Sequence, residues 1–307
     1  MSQIAIILPT YNVQNYIARA LDSCIAQTLK DIEIIVVDDC GSDRSVDIAR
    51  EYAARDNRIK IVCNKENLKL LKARYEGVKI AVSPYVMFLD PDDFLEIDAC
   101  EKFLKSMRGG GGEAELVVAN HNIIEHGIKV KKDYWQFGEP FRAEYLRRLM
   151  IDDVAGKWNI WGKIFKTNTL KKVYENLKLP DEIKITMAED ALVTLNFMKY
   201  VEKIKTIPCI LYNYNLDNIG SSTNDVEPLK IKNNIQDLNI CIKMIDNLDN
   251  CINSELKLFA RYIINCLQMH RTSLEYLLEK NHFLRLFLRL KRKRIKIEKS
   301  RILSKVY

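Results

Sequence analysis

The chain has 307 residues, 48% of them hydrophobic and 29% charged, with eight cysteines and a formal charge of +7. That composition suits an ordinary soluble globular chain of one large or two unequal domains. It excludes an integral membrane protein, since even the apolar stretch from Phe259 to Leu278 is broken by Arg261, Arg271 and Glu275. The basicity is local: residues 281–307 hold ten Lys or Arg against Glu298 alone, leaving 38 bases and 40 acids in the first 280 residues. Met1-Ser2-Gln3 leads straight into an apolar segment without the basic flank of a signal peptide, so a cytoplasmic location is expected. No Cys-x-x-Cys pair occurs, and the cysteines are expected as reduced core thiols rather than zinc ligands or a disulfide framework.

From the N-terminus, Ile4–Leu8 reads as a strand, Val13–Thr28 as a helix with Ile17, Leu21, Cys24 and Ile25 on its apolar face, and Ile32–Val37 as a second strand. Ser42 or Asp43 is expected to cap a helix reaching about Arg55, followed by strand Ile59–Cys63 and helix Lys69–Val82. Tyr85–Leu89 reads as a fourth strand, Phe94–Met107 as a helix, Gly109–Gly112 as a flexible connector and Glu115–Asn120 as a further strand. This alternation predicts an α/β fold on a doubly wound, mostly parallel sheet. An amphipathic helix is expected over Ala191–Val201, and helices from about Glu227 to Glu279 lead into the basic tail.

The strands end in chemically loaded segments: Pro9-Thr10-Tyr11-Asn12, Asp38-Asp39-Cys40-Gly41-Ser42, Asn64, and Asp90-Pro91-Asp92-Asp93. A parallel sheet brings such ends to one edge, where open α/β sheets hold their ligands. Pro91 fixes a turn or extended geometry, so Asp90 and Asp92 can face one space, and a hard divalent cation with positions left for phosphate oxygens suits such a pair. Solvated acids opening the next helix, with Asp92 or Asp93 as its cap, explain the same residues. An aromatic ring, a carboxylate and a metal-binding pair in one cleft suit a nucleoside diphosphate. No Gly-x-x-x-x-Gly-Lys-Ser/Thr or Gly-x-Gly-x-x-Gly segment is present to cradle phosphates.

Five segments in order carry a resemblance: Ile-Leu-Pro-Thr-Tyr-Asn (7–12), Val-Val-Asp-Asp-Cys-Gly-Ser-Asp (36–43), Asn-Lys-Glu-Asn (64–67), Ala-Arg (73–74) and Phe-Leu-Asp-Pro-Asp-Asp (88–93). Together they resemble a family 2 glycosyltransferase with the GT-A fold, and Trp161–Phe165, Ala188-Glu189-Asp190 and Tyr212-Asn213-Tyr214 extend the likeness to about residue 223. Asn15–Ala20, Ala73–Val78 and Met187–Asp190 are similar in particular to the Campylobacter-type lipooligosaccharide β-1,3-galactosyltransferases. The resemblance implies residues 1–223 as a catalytic domain, with a nucleotide-sugar-binding half over 1–124 and an acceptor-binding half over 125–223, followed by a helical region over 224–307. It implies that Pro9 and Tyr11 flank the uracil of a UDP-sugar, that Asp39 accepts from the imide N–H, and that Arg74 helps hold the nucleotide. Asp90 would touch the ribose or the metal shell, and Asp92 would bind Mn²⁺ or Mg²⁺. For an inverting transfer of galactose from UDP-galactose, Asp190 would be the base and Glu189 would tune it, although capping of the following helix also accounts for both. Trp161, more than Trp158, is the candidate stacking surface for the glycan or glycolipid acceptor. One departure stands out: Leu68 and Lys69 follow Asn67 where family members usually carry glycine.

In the tail, Phe283, Leu284, Leu286, Phe287, Leu288 and Leu290 surround Arg285 and Arg289, and the run Lys291–Lys296 follows. An amphipathic basic helix of this kind fits an anionic membrane surface better than nucleic acid, which would place the chain peripherally at the inner face of the cytoplasmic membrane. A nucleotidyltransferase shares the acid-edged sheet but usually shows an early glycine-rich basic loop that is absent here. A non-enzymatic binding module built around the tail leaves the recurring strand-end acids unexplained.

Overall fold

The computed structural model describes residues 1–109, 112–151, 158–218, 227–248 and 252–306. Gly110 and Gly111 of the expected connector, the domain boundary at 223/224 and Cys251 lie outside the described residues. The chain forms two compact units, one from residues 1–142, 159–184 and 200–218, the other from residues 143–158, 185–199 and 219–307.

The first unit holds nine strands: β1 (Ile4–Thr10), β2 (Ile32–Asp38), β3 (Ile59–Cys63), β4 (Tyr85–Phe88), β5 (Phe94–Leu95), β6 (Leu116–Glu125), β7 (Ile128–Lys132), β8 (Lys163–Lys166) and β9 (Ile204–Asn215). They form one sheet in the order β3-β2-β1-β4-β8-β6-β9-β5, with β7 paired to β6. β3, β2, β1 and β4 pair in parallel, as do β6 and β9, while β8 runs antiparallel to both β4 and β6. The expected α/β sheet, doubly wound and mostly parallel, is therefore the one observed. β1 and β2 are almost wholly apolar because both sheet faces are covered, with buried Glu33 the exception near the start of β2, where its carboxylate accepts from Lys60 Nζ and from the Ser83 N–H and Oγ. α1 (Ile17–Ile25) packs Ile17, Ala20, Leu21 and Cys24 inward, in one cluster with Ile4, Ile6, Leu8, Ile34 and Val36. α2 (Ser45–Ala53) has Arg44 at its N-cap rather than Ser42 or Asp43, although the Asp43 carboxylate still accepts from the Ser45 N–H at 3.0 Å. α3 (Lys69–Ile80) lies against β1 and β2 through Gly77, where a Cβ would stand 2.5 Å from Ile7 Cγ2. That close approach seats Arg74, one turn earlier, in the protein interior.

The helix expected over Phe94–Met107 starts later, as α4 (Ala99–Arg108). Phe94 and Leu95 instead pair antiparallel with Asn213 and Tyr212, because their backbone groups complete the edge of β9. β6 also runs past its expected end through Asn120, His121 and Asn122, all buried. Asn120 accepts from the Tyr134 and Trp135 N–H groups, and Asn122 Nδ2 donates to Asn213 Oδ1 at 2.9 Å, so both buried asparagines find partners from outside β6. α6 (Thr167–Leu177) completes the unit.

The second unit is helical: most of α5 (Arg142–Ile151), then α7 (Glu189–Met198), α8 (Pro228–Asp246), α9 (Ser254–Leu278) and α10 (His282–Leu303). α8 and α10 pack on α9. α10 turns a seven-residue repeat, Leu288, Ile295 and Ile302, into the interior. α7 is buried on nearly every side from Ala191 to Met198, so the amphipathic helix expected there is a core helix. Cys24, Cys100 and Cys241 are buried free thiols as expected, whereas Cys40 and Cys63 are exposed because they fall at the ends of β2 and β3. Among the described residues, no helix is long and apolar enough to cross a membrane.

Candidate active site

The order β3-β2-β1-β4 puts a topological switch between β1 and β4, the crevice at which parallel α/β sheets bind ligands. Pairing of β1 with β4 stops at Ile7 and Phe88, while pairing with β2 continues to Thr10 and Asp38. Pro9, which has no N–H to give, lies just where β4 departs, so its place in an interior strand leaves no ladder bond broken. Pro9 is buried on the sheet and Tyr11 stands half out of it, 47% exposed.

The loops at this edge are held in unusual backbone conformations. Asn12, Cys40 and Lys69 have φ of 52°, 59° and 64°, the left-handed region, one in each loop after β1, β2 and β3. Such strain clusters where surrounding structure over-determines it. The first two loops interlock: Asn12 Oδ1 accepts from the Ser42 N–H at 2.7 Å, and a Cβ on Gly41 would lie 2.9 Å from that oxygen.

Asp39 is 4% exposed and accepts three hydrogen bonds: Oδ1 from Asn64 Nδ2 (2.8 Å) and the Leu68 N–H (2.7 Å), Oδ2 from the Lys69 N–H (3.0 Å). A carboxylate offers about four acceptor positions, so one remains for a ligand N–H. Burial pushes its pKa above the ordinary value, against the lowering effect of those donors.

At the β4 end, Arg74 is buried and its Nη2 donates to Asp90 Oδ1 at 2.6 Å. Asp92 is half-buried; Asn218 Nδ2 donates to its Oδ2 at 2.8 Å, and Arg19 Nη2 to its backbone carbonyl at 2.8 Å. Desolvation, and then the charge on Asp90, raise the Asp92 pKa. Asp93 plays a part that the sequence did not reveal. It is fully buried, accepts from Tyr212 Oη at 2.6 Å and the Asn215 N–H at 2.7 Å, and its pKa is driven well up by burial and by its two acidic neighbours. Tyr212 Oη in turn accepts from the Asp90 N–H at 3.2 Å, so Asp93 and Tyr212 clamp the acidic loop onto β9. Among the described residues no cluster of three or more His, Cys, Asp or Glu is arranged to hold a metal. The candidate donor set from the sequence, Asp90 and Asp92, is a pair of carboxylates in which the charge on Asp90 raises the Asp92 pKa. That set fits a hard cation completing its shell with water and phosphate oxygens.

Trp161 stacks on Tyr212 (4.9 Å between ring centroids) and Tyr214 (5.0 Å), with His121 edge-on at 4.8 Å. The expected acceptor platform is thus one member of a four-ring cluster. Trp158 belongs to the second unit, edge-on to Tyr262 at 6.4 Å. Burial, and then Lys163 and Lys132, lower the His121 pKa from 6.5 to about 4. Because the folded state takes up this proton later than the unfolded chain does, stability is complete above pH 6.5 and falls as pH drops toward 4. The full loss is roughly 3 kcal/mol. His121→Phe keeps a ring in the cluster and removes the proton, so its urea midpoint should fall less between pH 7 and pH 4 than that of the parent. An equal fall in both would contradict this.

Glu189 and Asp190 lie in the second unit and form the first turn of α7, after Ala188 at φ 66°. Glu189 is buried, and Asp190 Oδ1 accepts from the Ala191 N–H at 2.7 Å.

The model of the Glycosyl transferase family 2 matches residues 5–174. Glycosyltransferase GlyA of Streptococcus pneumoniae serotype 4 is 40% identical over 229 residues, covering 66% of this chain and 31% of that protein. EpsH of Bacillus subtilis is 29% identical over 216 residues, covering 69% of this chain and 60% of that protein. The chain therefore spans between about a third and three-fifths of the length of these relatives. Among solved structures, Staphylococcus aureus TarS 1–349 in complex with UDP-GlcNAc shares the fold with a TM-score of 0.58 at 18% identity, covering 98% of this chain and 90% of that one. The Pyrobaculum calidifontis mannosyltransferase PcManGT, in complex with GDP-Man and Mn²⁺, gives 0.58 at 16% identity, covering 90% and 72%. The matched segment runs from Ala5 in β1 to Tyr174 in α6 and so contains the whole edge bearing Tyr11, Asp39, Arg74, Asp90 and Asp92: the chain belongs to glycosyl transferase family 2.

Proposed function

We propose that this chain is a metal-dependent, inverting glycosyltransferase that moves galactose from UDP-galactose, in β-1,3 linkage, to a terminal GalNAc- or GlcNAc-type acceptor of a bacterial lipooligosaccharide or other surface glycan. The observation that carries the nucleotide part is buried Asp39, left with about one acceptor position beside half-exposed Tyr11: a single imide N–H and a flat base match both. Pro9 flanks that base, and Arg74 holds Asp90 in place for the ribose or the metal shell. Asp92 and Asp90 are the residues that would hold Mn²⁺ or Mg²⁺, which supplies Lewis-acid neutralisation of the leaving diphosphate. Asp190 takes the proton from the acceptor hydroxyl, with its carboxylate oriented by the Ala191 N–H, and Glu189 sets its charge environment. Trp161 offers the exposed part of its ring to the acceptor sugar. The galactosyl and β-1,3 assignments rest on the sequence likeness at Asn15–Ala20, Ala73–Val78 and Met187–Asp190. UDP-GlcNAc is the second reading for the donor, favoured by the TarS complex. Incubation with Mn²⁺, each UDP-sugar and a GalNAc-terminated acceptor, followed by NMR of the product, tests both: a β-1,3-galactosyl product is expected, and transfer from another donor alone would discard the galactosyl assignment.

The tail supports a location at the inner face of the cytoplasmic membrane. In α10 the arginines lie against α9 at the surface: Arg289 Nη2 donates to Tyr276 Oη at 2.8 Å, and both Arg285 and Arg289 lie over the Tyr276 ring. Phe283, Leu284, Leu286, Phe287 and Leu290 are left 50–83% exposed, with Lys293, Arg294 and Lys296 also exposed on the next turns. An apolar face beside exposed cations suits an anionic bilayer. Because Leu288, Ile295 and Ile302 anchor α10 to the unit, deleting the tail would damage the fold, and the exposed side chains are the better targets. Phe283→Ser with Phe287→Ser should cut binding to phosphatidylglycerol vesicles at least about tenfold, given about 1.5–3 kcal/mol for each buried aromatic. Unchanged sedimentation with the vesicles would sink the anchor.

A further inference from the structure

We infer that Lys69 reads the base of the nucleotide, donating from its ammonium to a carbonyl that flanks the imide N–H taken by Asp39; the inference rests on the UDP-sugar reading above. Lys69 opens α3 at φ 64°, a conformation that costs a β-carbon-bearing residue about 1–2 kcal/mol and that glycine or asparagine adopts more readily. Its N–H donates to Asp39 Oδ2 at 3.0 Å and to Asn67 Oδ1 at 3.1 Å, which pins the strained backbone and fixes where the side chain departs. From there the ammonium reaches over the Tyr11 ring, 5.9 Å from its centroid. The side chain is exposed, and the ammonium makes no ion pair among the described residues. One residue therefore orients the carboxylate through its backbone and sets a cation beside the same aromatic ring.

The location decides which part of the ligand the cation meets. Lys69 follows β3, and the strand order β3-β2-β1-β4 separates it from Asp90 and Asp92 by the ends of β2 and β1. The acidic pair marks the diphosphate side, so Lys69 stands at the base side, with Asp39 and Tyr11. A base whose N–H lies between two carbonyls presents acceptor, donor, acceptor. A carboxylate next to an ammonium presents the complement to two of those three positions. With the ammonium on the carbonyl that cytosine replaces by an amino group, cytosine would set its ring-nitrogen acceptor against the carboxylate and its amino donor against the ammonium. The pair therefore selects uracil over cytosine by unfavourable contacts as well as favourable ones.

Calorimetric titration of UDP and CDP in Mn²⁺ tests this with the parent chain and with Lys69→Asn, which tolerates the left-handed backbone and removes the cation. The parent should prefer UDP. Lys69→Asn should lose about tenfold or more in UDP affinity, the scale of a hydrogen bond from a charged donor, while CDP affinity stays level or rises as the opposed amino group is relieved, so that the preference shrinks. An unchanged preference would overturn the inference, as would an equal loss for both nucleotides, which would assign the cation to the phosphates. A parent chain that binds neither nucleotide would instead refute the UDP-sugar reading itself. An unchanged or raised unfolding midpoint for Lys69→Asn, expected from relief of the strained backbone, separates recognition from folding.

Discussion

Asp92→Asn should lower acceptor-dependent transfer roughly a thousandfold while leaving the protein at least as stable at neutral pH. The first half follows from the role assigned to the carboxylate: loss of a metal ligand removes several kcal/mol of charge stabilisation, at a tenfold rate change for each 1.36 kcal/mol. The second half follows from its electrostatics. Burial and the neighbouring Asp90 raise the Asp92 pKa, so its charged form is disfavoured in the folded state, and the penalty grows as pH rises through the folded-state pKa. Asparagine has the same shape, can still accept from Asn218 and carries no charge. A drop in activity with no drop in unfolding midpoint is the pattern of a site that gives up stability for function. A variant that keeps its activity would remove Asp92 from the metal assignment. One that loses activity and midpoint together would make the residue structural.

Asp190→Asn should reduce transfer by about a hundred- to ten-thousandfold, the range of general acid–base catalysis, with UDP affinity within about twofold of the parent. The substitution keeps the oxygen that accepts from the Ala191 N–H, so the first turn of α7 retains its cap. This distinguishes the two explanations open for the Glu189-Asp190 pair. If the aspartate only caps the helix, asparagine, an equally good cap, should leave the rate nearly unchanged. Loss of UDP binding in place of transfer would assign Asp190 to the donor site.

What the sequence disclosed, and what it concealed, both have physical causes. Buried parallel strands must be largely apolar on both faces, so β1, β4 and, after Glu33, β2 stand out as continuous runs, and their polar ends mark the edge of the sheet without any coordinates. That Tyr11, Asp39, Asp90 and Asp92 fall at one edge of the sheet was legible for that reason. Asp93 was not, because three acids around Pro91 look alike until Tyr212 and Asn215, more than a hundred residues later, are seen to engage one of them. Phe94 and Leu95 resembled the start of a helix because a two-residue strand has no period to detect, and β9 alone decides their pairing. The buried run Asn120-His121-Asn122 violates every expectation for a core strand, and is stable only because the partners of Asn120 and Asn122 come from outside β6. Arg285 and Arg289 could be seen in the sequence to share the face left by the apolar residues, but not what that face meets: Tyr276 on α9 gives them an aromatic face and a hydroxyl, and Phe283, Leu284, Leu286, Phe287 and Leu290 are left exposed. Lys69 combines both cases. Its oddity, a lysine where glycine is usual, was visible in the sequence, and its direction was set only by the hydrogen bonds its backbone makes to Asp39 and Asn67.

The most direct test of the account is UDP release by the purified chain supplied with UDP-galactose and a GalNAc-terminated acceptor, measured with Mn²⁺ and again after chelation. Release that requires both the acceptor and the metal is the expected result. Release of pyrophosphate, or no release with any UDP-sugar in the presence of metal and acceptor, would contradict it.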